Sequence, residues 1–187
     1  MNFVLVLGLA VLVKADDTCP LMNGIEPSKP SPSLWKCYKY NKLACCVSTH
    51  DNEINKAFQR LLSPSCQRSF NDLETYFCTG CNPYAGSYID PKARTLRVCR
   101  SFAEAIWGNT LEMPSNSFDN CGLNTYWRTN TTTVMQSKEW PNAYAFFAEM
   151  KPTYFEDYEV ILVSGDDPCF NAGQMLIVTL LLTGLLA

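Results

Sequence analysis

The cysteine motif that decides the fold is Cys78-Thr79-Gly80-Cys81-Asn82-Pro83-Tyr84-Ala85-Gly86, a Cys-x-x-Cys pair followed by a turn sequence. Such a pair forms a zinc site only when a second pair or two histidines complete four ligands. The chain has 1 His and no second Cys-x-x-Cys. A redox pair would need a βαβ pattern, which the neighbouring sequence lacks. Both cysteines are therefore predicted to form structural disulfides.

The total of 10 Cys indicates a chain that folds in an oxidising compartment, with five disulfides. The apolar run Phe3–Val13 is too short to span a bilayer, and Val13-Lys14-Ala15 has compact residues at both key positions of a cleavage site. Residues 1–15 are therefore predicted to be a secretory signal peptide. The alternative is a buried N-terminal strand, which the acidic pair Asp16-Asp17 disfavours.

A second apolar segment, Met175–Ala187, ends the chain with no charged residue after it. This pattern is typical of a glycosylphosphatidylinositol (GPI) attachment signal. Two attachment sites are open, because Asn171 retains Cys169 and an even number of cysteines, whereas Ser164 leaves a better spacer. We favour Asn171, which makes residues 172–187 the signal. The alternative is a short C-terminal helix packed on the core.

Between these ends, residues 16–171 are predicted to form one cysteine-rich extracellular domain. The formal net charge of −3 and the absence of long basic runs argue against a nucleic-acid partner. Asn130 begins the single N-glycosylation sequon and is expected at the surface. The sequence indicates no metal site and no cofactor.

Hydrophobic periodicity predicts three helices and a possible strand. The first helix is capped by Ser48, Thr49 or Asp51, and Tyr154–Val163 is the possible strand. The apolar faces are Ile54, Ala57, Phe58, Leu61 and Leu62 in the first helix, Cys66, Phe70, Leu73 and Phe77 in the second, and Val98, Phe102, Ala105 and Ile106 in the third, which ends near Gly108. The expected class is an α-rich α+β single domain with short strands, stapled by five disulfides.

One constellation suggests an enzyme. Cys45-Cys46 followed by His50-Asp51 resembles the secreted phospholipases A2, in which the histidine activates water and the aspartate holds calcium. Three residues separate the cysteines from His50 where that family has two, which turns the side chain by about 100° on a helix. The glycine-rich calcium loop is also missing. We therefore expect no enzyme, and His50 is interpreted as a surface residue beside a helix cap.

The cysteine pattern resembles a different family more closely. Its motifs are Cys37, Ala44-Cys45-Cys46, Pro64-Ser65-Cys66, Cys78, Cys81-Asn82-Pro83-Tyr84-Ala85-Gly86 and Cys99. An aromatic residue, Tyr88, follows the turn glycine by two positions, and Trp107 follows the last of these cysteines by eight. With Cys19 as the isolated first cysteine, the segment Cys19–Trp107 resembles the folate receptor family, which includes riboflavin-binding proteins and egg-surface receptors.

The resemblance implies a disulfide pattern and departs from the family in one place. The implied pairs are Cys19–Cys45, Cys37–Cys78, Cys46–Cys81, Cys66–Cys121 and Cys99–Cys169, with Cys121 the least securely aligned. The family has a further cysteine at the position of Ala103. Its absence here, together with that of its partner, indicates a pared-down version of the same fold.

The resemblance also implies a ligand pocket that stacks aromatic rings on a flat heterocycle and reads the donor edge of a pterin with a carboxylate. The matching stretch Lys56–Ser65 contains no acidic residue, so binding of folate itself is doubtful. The expected ligand-binding residues are Tyr88, Trp107, Trp127, Arg128 and Trp140. For each tryptophan and for Tyr88 the alternative is a place in the core.

Two functions follow as expectations. The first is a GPI-anchored receptor on the outer face of the plasma membrane for a folate-like or flavin-like heterocycle. The second is a cell-surface recognition protein, with a gamete-like or adhesion-like role and a protein partner, that keeps the fold without binding a vitamin. A phospholipase A2-like enzyme is a distant third.

Overall fold

A computed structural model describes residues 18–61, 71–112 and 141–172 of the chain. Within these ranges the protein combines helices with one small sheet, as the α+β prediction requires. The helices are α1 (Ser48–Leu61), α2 (Asn71–Phe77), α3 (Arg100–Glu112) and α4 (Ala143–Glu149), and the strands are β1 (Ile89–Asp90), β2 (Thr95–Cys99) and β3 (Glu159–Val163).

The first helix confirms the sequence prediction. Ile54, Phe58 and Leu61 are buried at spacings of three and four residues, which gives α1 one apolar stripe facing the core. Ala57 is half-buried at the edge of that stripe. Leu62 lies outside the described residues.

The second helix is confirmed for its C-terminal part. Leu73 and Phe77 are buried on α2, and the Phe77 ring packs edge-on against Phe58 of α1 with ring centroids 5.6 Å apart. Cys66 and Phe70 lie outside the described residues.

The boundary of the third helix was predicted incorrectly. Val98 belongs to β2, where Leu96 and Val98 alternate with less buried neighbours, so a strand with period two occupies the start of the expected helix. The buried face of α3 consists of Phe102, Ala103 and Ile106, and Ala105 is exposed. The helix also continues past Gly108 to Glu112.

The sheet has the order β1-β2-β3. The antiparallel β1–β2 hairpin pairs Ile89 with Leu96. Its turn is closed by Asp90, whose Oδ1 accepts backbone N–H groups of Lys92 at 2.8 Å and Ala93 at 3.0 Å. The β2–β3 pair is parallel, with Cys99 opposite Val163. The connection between these two strands therefore includes α3 and α4, and α4 packs against both α3 and β3.

The predicted strand within Tyr154–Val163 is shorter than its alternation suggests. Only Glu159–Val163 is extended, and turns occupy most of Tyr154–Tyr158. Tyr154 adopts a left-handed backbone with φ of 76°, and Phe155 is buried in the core. The chain thus has to turn before it can enter the sheet.

Four disulfides lie within the described residues. They are Cys19–Cys45, Cys37–Cys78, Cys46–Cys81 and Cys99–Cys169, and each is a pair that the family resemblance implies. Cys66 and Cys121 lie outside the described residues. Three of the four bonds meet around the Cys-x-x-Cys segment, so they join the chain before α1 to the end of α2.

Gly80 explains why the Cys-x-x-Cys segment needs a residue without a side chain. A Cβ atom at this position would lie 2.7 Å from Cδ1 of Leu21 and 2.8 Å from Cε2 of Phe155. Both distances are too short for carbon atoms in contact, so any larger residue would push the two apolar side chains away from the disulfides.

Asp51 holds the loop before α1. Its carboxylate is 2% exposed and accepts three backbone N–H groups, from Trp35 at 2.7 Å, Lys36 at 3.0 Å and Cys37 at 2.7 Å. It is therefore not the helix cap that the sequence predicted. It lies inside α1 and ties the helix to the loop that carries the Cys37–Cys78 bond.

The same loop is fastened from two other sides. The Asn41 side chain accepts the Leu34 N–H at 2.6 Å and donates to the Leu34 carbonyl at 3.0 Å. The Lys36 ammonium forms an ion pair with Glu74 of α2 at 2.9 Å and lies 4.2 Å from the Phe58 ring centroid. The loop is thus fixed to both α1 and α2.

Asp51→Asn tests the importance of this anchor. The amide keeps the size of the side chain but replaces one acceptor oxygen by an NH2 group, which leaves at least one buried N–H without an acceptor. We expect a loss of about 2–3 kcal/mol in the free energy of unfolding. Urea denaturation under non-reducing conditions measures this loss. The exposed Glu26→Gln serves as the control and should change stability by less than about 0.5 kcal/mol. Equal midpoints for both variants would show that the three bonds contribute little.

Candidate functional site

The largest cavity bounded by described residues is an open groove of about 520 Å³ at the carboxyl ends of β2 and β3. One wall is the first turn of α3, the other is the loop that follows β3, and the Cys99–Cys169 disulfide lies between them. The lining residues are Cys99, Arg100, Ser101, Glu104, Val163, Ser164, Gly165, Asp166, Asp167, Cys169 and Asn171. The carboxyl edge of parallel strands is a common place for ligands to bind.

The register of the parallel pair builds this groove. Cys99 ends β2 directly opposite Val163, which ends β3. The chain then continues as α3 on one side and as an irregular loop on the other. The Phe170 carbonyl accepts the Cys99 N–H at 3.0 Å, and the Phe170 N–H donates to the Arg97 carbonyl at 2.9 Å. The segment after the loop is therefore returned to the sheet.

Helix α3 presents one polar face to the groove. Arg100, Ser101 and Glu104 all line it. Trp107 follows Glu104 by three residues, at the boundary between this face and the buried one, and is half-buried against the core. Because helical side chains lean toward the N-terminus, the Trp107 ring is directed toward the turn that carries Glu104.

Arg100 is held by a contact on its own side of the groove. Its guanidinium lies 5.3 Å from the ring centroid of Tyr144 on α4 and donates a hydrogen bond to the Tyr144 hydroxyl. Guanidinium groups stack readily on aromatic rings. The contact fixes the orientation of Arg100 and joins the first turns of the two helices.

The opposite wall is acidic. Asp166 and Asp167 are exposed on the loop after β3, and Gly165 has a φ of 97°, which a residue with a side chain adopts only with strain. With Glu104 on α3, three carboxylates therefore line a groove whose single lining cation is Arg100. The groove is a negatively charged site.

Tyr88, which was expected to bind a ligand, lies in the core. Its side chain is 1% exposed, its ring packs against Phe170 with centroids 5.5 Å apart, and its hydroxyl donates to the Thr79 carbonyl at 3.2 Å. Burial, with a smaller contribution from Tyr40, raises the pKa of Tyr88 well above its ordinary value. This position corresponds to the core alternative, because the ring has no face open to a ligand.

The other expected ligand residues divide between the groove and the chain outside the described ranges. Trp107 lies beside the groove, as described above. Trp127, Arg128 and Trp140 lie outside the described residues, and so does the sequon residue Asn130.

His50 and Asp51 contact different parts of the structure although they are adjacent in sequence. The Val47 N–H donates to Nδ1 of His50 at 3.3 Å, and the imidazole packs edge-on against Tyr154 with centroids 5.2 Å apart. Asp51 holds the Trp35–Cys37 loop instead. Among the described residues, no group of three or more His, Cys, Asp or Glu side chains is arranged to hold a metal ion.

No protein-family model matches this chain, and a search of the curated proteins finds no match. The groove is therefore interpreted from its own geometry. In the described ranges there is also no helix with the length and hydropathy needed to cross a bilayer.

Sequence reasoning missed most of the groove residues. Glu104 and Arg100 belong to a helix whose start was placed two residues too early, and Asp166 was considered only as part of an attachment site. The implied Cys99–Cys169 pair was the one available signal, because it brings the start of α3 and the loop after β3 together.

His50 generates a prediction about acid stability. Partial burial lowers the pKa of its imidazole below 6.5, so the folded state favours the neutral form. A lowered pKa of this kind leaves stability intact above pH 6.5 and reduces it as the pH falls through the folded-state value. Protonation of Nδ1 would also remove the acceptor for the Val47 N–H.

His50→Gln should therefore lose less stability than the parent protein between pH 7 and pH 5. The comparison is made with urea midpoints at a series of pH values, since carboxylates titrate equally in both proteins. Parallel curves for the two proteins would mean that His50 does not contribute to the acid limb.

Proposed function

We propose that this protein is a folate-receptor-like binding protein, rather than an enzyme, for a flat folate-like or flavin-like heterocycle. The observation that carries the proposal is the disulfide pattern. Four described bonds join the cysteines that the family resemblance pairs. Ten cysteines admit many other arrangements, so an agreement of four pairs supports the resemblance well beyond the spacing of the motifs.

The groove offers the chemistry that such a ligand needs. Trp107 provides an aromatic surface next to Glu104, and a carboxylate is the group that accepts hydrogen bonds from a pterin-like donor edge. The stretch Lys56–Ser65 lacks the acid that the family uses for this purpose. Glu104 on α3 is the group that we assign to the same task here.

We also propose that the protein is secreted through the endoplasmic reticulum and anchored to the outer face of the plasma membrane at Asn171. The packing of the preceding residues favours this site over Ser164. Cys169 is 5% exposed and bonded to Cys99, and Phe170 is fully buried between Tyr88 and Phe102. Cleavage at Ser164 would remove both residues and leave Cys99 with a free thiol.

The anchor is tested by phospholipase treatment and mass spectrometry. A phosphatidylinositol-specific phospholipase C should release the protein intact from cells, and the C-terminal peptide should contain Cys169 and a lipid remnant. Replacing Leu180, Leu181 and Leu182 with Asp should prevent attachment. Recovery of a peptide that continues to Ala187 would disprove the anchor, and a remnant on Ser164 would disprove the site.

A second function, cell-surface recognition without a vitamin, is favoured by one exposed feature. Trp35 is 70% exposed and Tyr38 is 58% exposed, although the loop that carries them is fixed by Asp51 and by the Cys37–Cys78 bond. Large aromatic side chains presented on a rigid loop are typical anchors of protein interfaces. This surface is separate from the groove, so the two functions depend on different tryptophans.

A ligand titration distinguishes the two functions. We expect saturable quenching of tryptophan fluorescence, with affinity below micromolar, for at least one of folate, simple pterins and riboflavin. Calorimetry should show that Trp107→Leu weakens this binding by about tenfold or more, because ring stacking contributes about 1–3 kcal/mol. Trp35→Leu is the matched control and should leave the affinity unchanged. A flat trace for every ligand would instead favour the recognition function.

A further inference from the structure

The charge of the groove bears on which heterocycles it can accept. Its lining includes three carboxylates, from Glu104, Asp166 and Asp167, and one cation, Arg100. The cation is already used, since its guanidinium stacks on Tyr144 and donates to the Tyr144 hydroxyl. A ligand that enters between α3 and the loop after β3 therefore meets carboxylates on both walls.

These carboxylates belong to exposed side chains at the rim of an open groove. Their interaction with a ligand charge is weakened by water and salt, but it acts at separations below the Debye length of about 8 Å in physiological salt. Several charges of one sign around one cavity add their potentials. The summed effect opposes a carboxylate or phosphate on the ligand and does not oppose an uncharged ring.

We propose that the groove selects flat heterocycles that are neutral or cationic and rejects the same rings when they carry an anionic tail. The inference rests on the proposed function, because it assumes that the groove is the ligand site. It deepens that function by naming the ligand class. Trp107 contacts the ring, Glu104 accepts hydrogen bonds from its donor edge, and Asp166 and Asp167 exclude anionic substituents.

The test uses two pairs of ligands that share a ring and differ in charge. Riboflavin is compared with flavin mononucleotide, which adds a phosphate, and 6-methylpterin is compared with folate, which adds a glutamate tail. Dissociation constants are measured by calorimetry on the intact secreted protein at low salt and again at high salt. In at least one pair we expect the uncharged member to bind about tenfold more tightly at low salt, with a smaller ratio at high salt.

Paired variants assign the selectivity to the groove. The double variant Asp166→Asn with Asp167→Asn should reduce the ratio to about threefold or less, because two of the three carboxylates are gone. The control is Glu26→Gln with Glu156→Gln, which removes the same net charge from exposed residues that do not line the groove. The control should keep the parent ratio.

The outcomes separate the inference from the function on which it rests. If the rings bind but their anionic partners bind as tightly, the charge selectivity is wrong and the binding function stands. If both double variants change the ratio equally, the selectivity comes from the overall charge and the groove assignment is wrong. If none of the four ligands binds, both the inference and the heterocycle-binding function are wrong.

Discussion

The structure depends on the disulfides that converge on the Cys-x-x-Cys segment. Cys37–Cys78 and Cys46–Cys81 connect the chain before α1 to the end of α2, and the Cys45 N–H donates to the Cys81 carbonyl at 3.0 Å. Each bond restricts the unfolded chain, and loss of one native bond typically costs about 2–5 kcal/mol. Gly80, between these cysteines, lets Leu21 and Phe155 pack directly on the backbone.

The sheet and its helices are joined by a disulfide of a different kind. Cys99–Cys169 closes a loop that contains α3, α4 and β3, with a sequence separation of 70 residues. It stands at the carboxyl end of a parallel pair, where the hydrogen bonds of Phe170 extend the pairing beyond Val163. One covalent bond therefore both completes the domain and sets the distance between the two walls of the groove.

Parts of this fold could be predicted from the sequence because the signals are local. The stripe of Ile54, Phe58 and Leu61 predicts α1 correctly, since a helical period of apolar residues before Ser63-Pro64 has one simple solution. The start of α3 could not be predicted in the same way. Val98 suits a helix or a strand equally well, and its pairing with Leu162 of β3, far along the chain, decides for the strand.

The candidate site was less predictable for the same physical reason. Its two walls are brought together by the parallel pairing of β2 with β3, and nothing in either wall alone indicates the other. Aromatic composition was a poor guide, because Tyr88 and Trp107 are both aromatic but only the first is buried within the core. What distinguishes them is the partner on each side, Phe170 in one case and the polar face of α3 in the other.

The position of the acidic groups connects the fold to its proposed use. The stretch Lys56–Ser65 has lost the acid that the resemblance would place there, whereas Glu104 lies one turn before Trp107 on a helix held by Arg100 and Tyr144. A ring-binding site needs an aromatic surface and an acceptor in a fixed relation, not at a particular sequence position. The helix α3 supplies both from one rigid element, which is why a chain without the family's carboxylate can still be proposed to bind a heterocycle.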